Sequence, residues 1–201
     1  VQGIENVNTI VRNVQELKIP NLTLFAFSDE NWNRPQDDID FLLKLVEQYI
    51  DREIAEIIRN NVNLRFIGNL NKIPHSTRQK MLKSQEETGH NTGLNLNIAF
   101  SYSGQDEIID SVKQICDLGY KSSSINKDII KKYMYNPEIS EVDLMIRTGG
   151  DIRISNFLLW HMGYAELYFT TKYWPEFSKD DLQTAIKEFK SRKRNFGYGR
   201  K

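Results

Sequence analysis

The sequence lacks several features that would mark a specialised class of protein. Its 201 residues include a single cysteine, Cys116, so no internal disulfide can form and a buried free thiol is expected there. No run approaches eighteen apolar residues, so no membrane-spanning helix is predicted. There is also no signal-peptide pattern. These absences favour a cytoplasmic protein.

Neither sign of charge is in excess. Lysine plus arginine and aspartate plus glutamate number 27 each, which gives a formal net charge of zero. A general nucleic-acid-binding protein normally carries a basic excess, so no nucleic-acid partner is predicted. Hydrophobic residues make up 39% of a chain long enough for a substantial core, and we predict a single domain over 1–201.

Short apolar runs alternate with segments of helical periodicity along the whole chain. The predicted strands are 21–27, 63–68, 94–102, 142–147 and 166–169, and the predicted helices are 4–18, 36–61, 74–88, 106–118, 155–162 and 178–194. This alternation predicts an α/β fold in which helices cover both faces of a central, mostly parallel sheet. In such sheets ligands bind at the carboxyl ends of the strands. Polar residues follow two strand ends, at 28–34 and at 147–155, which favours a site built from both.

The stretch "EVDLMIRTGGDIRISNFLLW" carries the stronger signal of the two. Arg147 and Arg153 are permanently charged planar donors that match phosphate oxygens. Gly149 and Gly150 permit positive φ angles and close backbone approach to a ligand. Ser155 is placed to cap the helix predicted to follow, whose free amides favour an anion. The set is typical of a phosphate or diphosphate site, although it has no Walker spacing.

A simpler interpretation stays open for each of these residues taken alone. The two glycines would then form only a turn, and the serine would be only a helix cap. The arginines would pair with Asp143 or Asp151.

Three segments of the chain resemble the cis-prenyltransferase family, to which bacterial undecaprenyl diphosphate synthase belongs. "DLMIRTGGDIRISNFLLWHMGYAELYFTTKYWPEF" (143–177) is similar to the most diagnostic segment of that family. "LTLFAFSDENWNRP" (22–35) resembles a second block, and "TGLNLNIAFSYSGQDEI" (92–108) resembles a third more weakly. The resemblance covers nearly all of the chain.

The resemblance implies a role for each matching residue. Arg147, Arg153 and Ser155 would hold the diphosphate of isopentenyl diphosphate. Glu166 would help to coordinate Mg²⁺, in cooperation with the site of a neighbouring subunit. Taken alone, a glutamate at a strand start is more typical of an ordinary surface carboxylate.

The second block implies a loop beside the reacting carbons. Asn31 would assist proton removal from the condensing isopentenyl unit, while Ser28 and Arg34 would support substrate placement. Trp32 belongs to the same substrate-binding loop, although packing alone would also explain a tryptophan there.

The implied reaction is a Mg²⁺-dependent condensation of isopentenyl diphosphate onto an allylic diphosphate such as farnesyl diphosphate. The product would be a long-chain polyprenyl diphosphate such as undecaprenyl diphosphate. Its hydrocarbon chain needs a hydrophobic channel between sheet and helices, for which Ala26, Leu94 and the apolar stripe of the helix 36–61 are candidates. The family implies a homodimer, and 191–200 resembles its carboxyl end near the dimer contact. A lipid product also implies transient contact with a membrane surface.

Two departures from the family pattern keep other functions open. Family members begin with a block resembling "MDGNGRWA", which binds Mg²⁺ and the allylic diphosphate and is absent from this sequence. Either a longer amino terminus carries it, or the chain is a degenerate homologue. Where the family has Asn-Tyr-Gly-Gly-Arg, this chain has "SYSGQ" at 101–105. Ser101, Ser103 and Gln105 therefore depart from the family pattern. The alternatives are a non-catalytic subunit that activates a catalytic partner, or an unspecialised phosphate-binding domain. The retained "ENWNRP" and both arginines favour the enzyme.

Overall fold

The computed structural model describes residues 2–194. Most of the segment assigned to the dimer contact, 195–200, therefore lies outside the described residues. The described chain contains six α-helices and five strands. The helices are α1 (Gln2–Glu16), α2 (Gln36–Arg59), α3 (His75–Thr88), α4 (Gly104–Asp117), α5 (Lys127–Lys132) and α6 (Lys179–Ser191). The strands are β1 (Asn21–Ser28), β2 (Asn63–Ile67), β3 (Asn95–Tyr102), β4 (Leu144–Arg147) and β5 (Glu166–Phe169). All five predicted strands are present.

The chain divides into two compact units. The larger unit is 14–138, and the smaller unit combines the chain start to residue 13 with the chain from 139 onward. The larger unit holds a parallel sheet in the order β1-β3-β2, and the smaller unit holds the parallel pair β4-β5. A mixed α/β fold with parallel strands is thus confirmed. The single domain over 1–201 stays a prediction.

The core of the larger unit forms around β3, its central strand. Leu96, Ala99 and Phe100 on this strand are all buried, as expected for a parallel strand with both faces covered. The long helix α2 contributes one apolar stripe, from which Ile39, Leu43, Ile50 and Ile57 are buried. The stripe therefore serves as core, and the apolar channel stays a prediction. Of its other candidate lining residues, Leu94 is buried. Ala26 is exposed, at a bulge where β1 shifts register against β3.

Side chains of α3 seal the outer edge of β2. The Leu64 amide donates to Thr88 Oγ1 at 3.2 Å, and the Phe66 amide donates to Gln85 Oε1 at 2.5 Å. These amides belong to a strand that pairs with β3 on its other side only. Without the two side-chain acceptors they would need water or another strand.

A buried carboxylate lies where β3 passes into α4. Glu107 is fully buried, and it accepts hydrogen bonds from Tyr102 Oη at 2.5 Å and from the Tyr135 amide at 3.2 Å. Burial raises the pKa of Glu107, because the charged form loses its hydration; the two hydrogen bonds oppose this shift. Ser103, one of the departures from the family pattern, caps α4 by accepting from the Asp106 amide at 3.1 Å.

In the smaller unit the first turns of α1 are fastened to the segment that follows β5. The Asn6 side chain donates to the carbonyls of Trp174 at 2.5 Å and Phe177 at 3.1 Å. The Trp174 indole in turn donates to the Gly3 carbonyl at 2.7 Å. Strands β4 and β5 pair in parallel, with Leu144 opposite Glu166 and Arg147 opposite Phe169.

Two expectations from the sequence are wrong. No helix forms at 155–162, where the chain makes a series of turns instead. Ser155, Asn156 and Leu158 have φ angles of 48°, 60° and 42°, in the left-handed region that interrupts a right-handed helix. Cys116 is exposed rather than buried, because it lies on the solvent face of α4 while Ile115 turns inward. Within 2–194 no helix is long and apolar enough to cross a membrane.

Candidate active site

In the larger unit, the loop after β1 is organised by Asn31. The strand ends at Ser28, and the chain enters a short 3-10 turn, Asp29–Asn33. Asn31 Oδ1 accepts from the Ser28 amide at 3.0 Å, while its backbone carbonyl accepts from the Arg34 amide at 3.1 Å. The oxygen of the Asn31 amide group is thereby engaged, and its NH₂ group is the part that remains to donate to a ligand.

Trp32 fastens this loop to the end of β3. Its indole Nε1 donates to Ser101 Oγ at 2.9 Å, and its ring meets Phe27 edge-on at 5.0 Å. Ser101 is buried and has a φ angle of 52°, so the hydroxyl is presented from a fixed, left-handed position. The sequence identified Ser101 only as a departure from the family pattern; its structural role is to receive Trp32. A packing role for Trp32 is therefore present, and a substrate role stays a prediction.

A salt bridge closes the far side of the same loop. Asp29 receives Lys72 Nζ at 2.6 and 2.9 Å through its two carboxylate oxygens. The side chain of Arg34, in the same loop, is exposed. The structure thus gathers Ser28, Asn31 and Trp32 at the carboxyl end of β1, as predicted. No sequence pattern indicated Lys72, which comes from the short turn after β2.

In the smaller unit, the glycine pair turns the chain sharply after β4. Gly149 and Gly150 have φ angles of 89° and 83°, which a residue with a side chain adopts only with strain. Their amides donate to the carbonyls of Lys172 at 2.8 Å and Thr170 at 2.9 Å. The turn is therefore bonded to the chain that leaves β5. It is a defined structure rather than a loose connection.

The turn brings the predicted diphosphate ligands together around an aspartate. Arg147 Nη1 donates to Ser155 Oγ and to the Arg153 carbonyl, both at 2.7 Å. Arg147 Nη2 donates to Asp151 at 2.9 Å, and Arg153 donates to the same carboxylate oxygen at 2.5 Å. The charges of these side chains sum to about one positive unit. A diphosphate oxygen would compete with Asp151 for the same guanidinium donors.

This geometry changes the physical account of anion binding. Because no helix follows Ser155, helix-terminus amides do not contribute, and the positive charge comes from the two guanidinium groups. The ion-pair alternative is right for Asp151 but not for Asp143, which pairs with Arg194 at 2.7 Å. Arg153 is the more accessible of the two arginines, with 62% of its side chain exposed against 23% for Arg147.

Glu166, the predicted Mg²⁺ ligand, faces an arginine. Its Oε2 accepts from Arg192 at 2.9 Å, and Arg192 also binds Glu188 at 2.5 Å and the Leu167 carbonyl at 3.0 Å. Nowhere in 2–194 do three histidine, cysteine or acidic side chains gather as metal ligands. A single carboxylate such as Glu166 suits Mg²⁺ in the mode where substrate phosphates and water supply the other ligands. No sequence pattern indicated Arg192 as the partner of Glu166.

The chain is similar to known proteins over nearly its whole length. The family model described as "Putative undecaprenyl diphosphate synthase" matches residues 1–197. An isoprenyl transferase of Clostridium tetani is 40% identical over 199 residues, covering 97% of this chain and 78% of that protein. One of Rhodopirellula baltica is 42% identical, covering 98% and 82%.

Solved structures are similar over the same extent. The crystal structure of a probable undecaprenyl diphosphate synthase from Campylobacter jejuni superposes with a TM-score of 0.89 at 38% identity, over 98% of this chain and 92% of that one. Lavandulyl diphosphate synthase from Lavandula x intermedia, in complex with dimethylallyl diphosphate, gives a TM-score of 0.93 at 25% identity, over 98% and 87%. The chain belongs to the undecaprenyl diphosphate synthase family of prenyltransferases, enzymes of isoprenyl transfer.

Proposed function

We propose that this protein condenses isopentenyl diphosphate onto an allylic diphosphate, with farnesyl diphosphate as the primer, and makes a long-chain polyprenyl diphosphate such as undecaprenyl diphosphate. The observation that carries the proposal is the cluster of Arg147, Arg153 and Ser155 around Asp151 at the end of β4. Two guanidinium groups and a hydroxyl suit a diphosphate, since each guanidinium can donate two parallel hydrogen bonds.

The two arginines have different tasks in this proposal. Arg147 is held by three acceptors within the turn, so it supplies a fixed positive charge and shapes the site. Arg153 has one partner and an accessible side chain, so it can turn from Asp151 toward an incoming diphosphate. Isopentenyl diphosphate keeps its diphosphate in this condensation, since the carbon–oxygen bond that breaks is the one to the allylic diphosphate. The two arginines would therefore bind and orient isopentenyl diphosphate for the reaction.

The loop after β1 would act on the reacting carbons. Asn31 is a neutral amide and cannot accept a proton at physiological pH, so its part would be to orient the donor or the base through its NH₂ group. Ser28 and Arg34 would place the substrate, and Trp32 would offer an apolar wall held in position by Ser101. The allylic character of the primer is supported by the similarity to a synthase solved with dimethylallyl diphosphate.

Mg²⁺ is proposed as the cofactor, with Glu166 as the ligand from this chain and phosphate oxygens as the remaining anionic ligands. When bound, Mg²⁺ would neutralise charge on the diphosphates. Before that, the Glu166 carboxylate would have to exchange its contact with Arg192. We further propose a cytoplasmic homodimer that contacts the membrane surface transiently when it releases product.

The decisive experiment is incorporation of radiolabelled isopentenyl diphosphate by the protein made from its complete gene, with farnesyl diphosphate and Mg²⁺. Labelled products resolved by chain length should form a ladder ending in a long polyprenyl diphosphate, and chelation of Mg²⁺ should stop it. Catalytically inert protein that activates a second prenyltransferase on mixing would instead establish the non-catalytic subunit. Sedimentation velocity of the same preparation tests the dimer.

A further inference from the structure

A basic loop on the larger unit takes no part in the site described above. This lysine loop, residues 118–132, contains Lys121, Lys127, Lys131 and Lys132 against a single acid, Asp128. Four positive charges and one negative charge give the segment a net charge of +3, although the whole chain is neutral. The concentration of charge on one short segment therefore has to be explained locally.

The lysine loop is open to solvent and its charges are uncompensated. All residues from 121 to 128 are exposed. None of its four lysines forms an ion pair with a residue in the described part of the chain; Lys132 lies over the Tyr133 ring at 5.5 Å. Two large aliphatic side chains are exposed beside them: Leu118 by 61% and Ile125 by 40%. Lysines next to exposed aliphatic side chains are the combination found on membrane-surface segments.

The backbone of the loop has a defined structure. Its two ends are joined by Tyr120 and Tyr133, whose hydroxyls lie 3.0 Å apart and whose rings meet edge-on at 5.8 Å. The tip is shaped by Ser124 Oγ, which donates to the Lys121 carbonyl at 2.7 Å. Asn126 then caps α5 by accepting from the Ile129 amide at 3.0 Å. The charged surface is thus largely formed before any partner arrives.

We propose that the lysine loop is the surface through which this protein binds an anionic phospholipid bilayer. Its lysines would contact lipid phosphates, while Leu118 and Ile125 would enter the interface between head groups and acyl chains. The inference rests on the proposed function, because a long polyprenyl product has to pass from the enzyme into a bilayer. A nucleic-acid partner fits less well, since its phosphates would engage the lysines and leave the exposed Leu118 and Ile125 without an apolar partner.

Co-sedimentation with vesicles tests the surface directly. The protein should bind vesicles of phosphatidylcholine with about one third phosphatidylglycerol and should not bind vesicles of phosphatidylcholine alone. The triple variant K121Q/K127Q/K132Q should lower the partition coefficient on the order of 100-fold, since each lysine near an anionic surface is worth roughly a factor of five. High salt should have the same effect on the unaltered protein, because it screens the surface charge.

A matched control separates local from general charge effects. The variant K44Q/K187Q/K190Q removes three exposed lysines from α2 and α6 and changes the net charge by the same amount. It should bind vesicles like the unaltered protein. Equal loss in both triple variants would overturn the assignment of the surface, as would unchanged binding in K121Q/K127Q/K132Q. The variant L118S/I125S should weaken binding even in low salt, and unaltered binding would count against insertion of the aliphatic pair.

Prenyl transfer in detergent without vesicles distinguishes this inference from the proposed function. K121Q/K127Q/K132Q should keep its activity there, since none of these lysines belongs to the site. Active enzyme that ignores anionic vesicles would refute the surface and leave the function standing. Protein that binds anionic vesicles through the lysine loop but transfers no prenyl group would refute the function and leave the surface standing.

Discussion

Replacing Arg153 by alanine is the cleanest test of the diphosphate site. In the free protein Arg153 makes one salt bridge, to Asp151, with 62% and 45% of the two side chains exposed. Such exposed pairs contribute about 0–1 kcal/mol to folding, so the variant should remain folded with a nearly unchanged melting temperature. A charge-assisted hydrogen bond to the substrate contributes roughly 1.5–3 kcal/mol. The KM for isopentenyl diphosphate should therefore rise about ten- to hundredfold.

Arg147 gives a useful contrast because its side chain has a second task. It donates to Asp151, Ser155 Oγ and the Arg153 carbonyl, so Arg147→Ala removes the bonds that hold the turn as well as the fixed positive charge of the site. That variant should lose thermal stability together with substrate affinity. Arg153→Ala should lose affinity alone.

The assay is initial-rate incorporation of labelled isopentenyl diphosphate at saturating allylic primer, with thermal unfolding of each variant measured alongside. Arg59→Ala is a suitable control, since it removes one exposed positive charge from the last turn of α2. The reasoning fails if Arg153→Ala keeps the KM of the unaltered enzyme. It also fails if Arg59→Ala raises the KM equally, because general attraction of the anionic substrate would then explain the effect.

Four further outcomes are expected. Ser101→Ala should destabilise the protein by about 1–2 kcal/mol and change Trp32 fluorescence, because the indole loses its hydrogen-bond acceptor. Ser101→Asn should lose less stability, because asparagine tolerates a positive φ better than alanine, and equal losses of stability would contradict this account. Burial raises the Glu107 pKa above its ordinary value of 4.5, so its contribution to stability is present at low pH and lost as pH rises through the raised pKa. Urea unfolding measured at increasing pH from 4.5 upward should show that decline, and Glu107→Gln should remove it. Asn31→Asp, which keeps the acceptor for the Ser28 amide, should lower kcat with little change in KM, and a pure KM effect would exclude the proposed role. Gly149→Ala has room for its methyl group, with Tyr173 3.9 Å away, so its cost of about 1–2 kcal/mol should come from the backbone alone, and Gly149→Asn should recover part of it.

The fold was readable from the sequence wherever apolar periodicity was long. The stripe of α2 and the buried β3 both follow directly from residue spacing, since burial of one face fixes the pattern. The helix predicted for 155–162 rested on the same kind of apolar spacing, but it does not form. Its apolar residues look helical, yet Leu158 and His161 are buried by a chain of turns with left-handed residues. No local pattern indicates positive φ angles at Ser155 or Leu158.

The candidate site was predictable in its members but not in their contacts. Arg147, Arg153 and Ser155 do gather, because a tight glycine turn folds the chain back after a strand. The sequence left Asp143 and Asp151 open as partners of the two arginines, and both arginines pair with Asp151. The partners Ser101 and Arg192 lie 69 and 26 residues from the side chains they bind, a distance over which sequence spacing carries no information.

The sealed edge of β2 has a consequence for how the protein behaves while it folds and is handled. With Gln85 and Thr88 occupying two of its amides, β2 offers little to a foreign strand, so this edge of the sheet is protected against extension by another molecule. Once α3 has docked on β2, this edge of the sheet is closed to pairing with a strand of another molecule. Substitutions that shorten Gln85 or Thr88 would leave amides of β2 without an acceptor, and would raise the tendency of the protein to form intermolecular sheets.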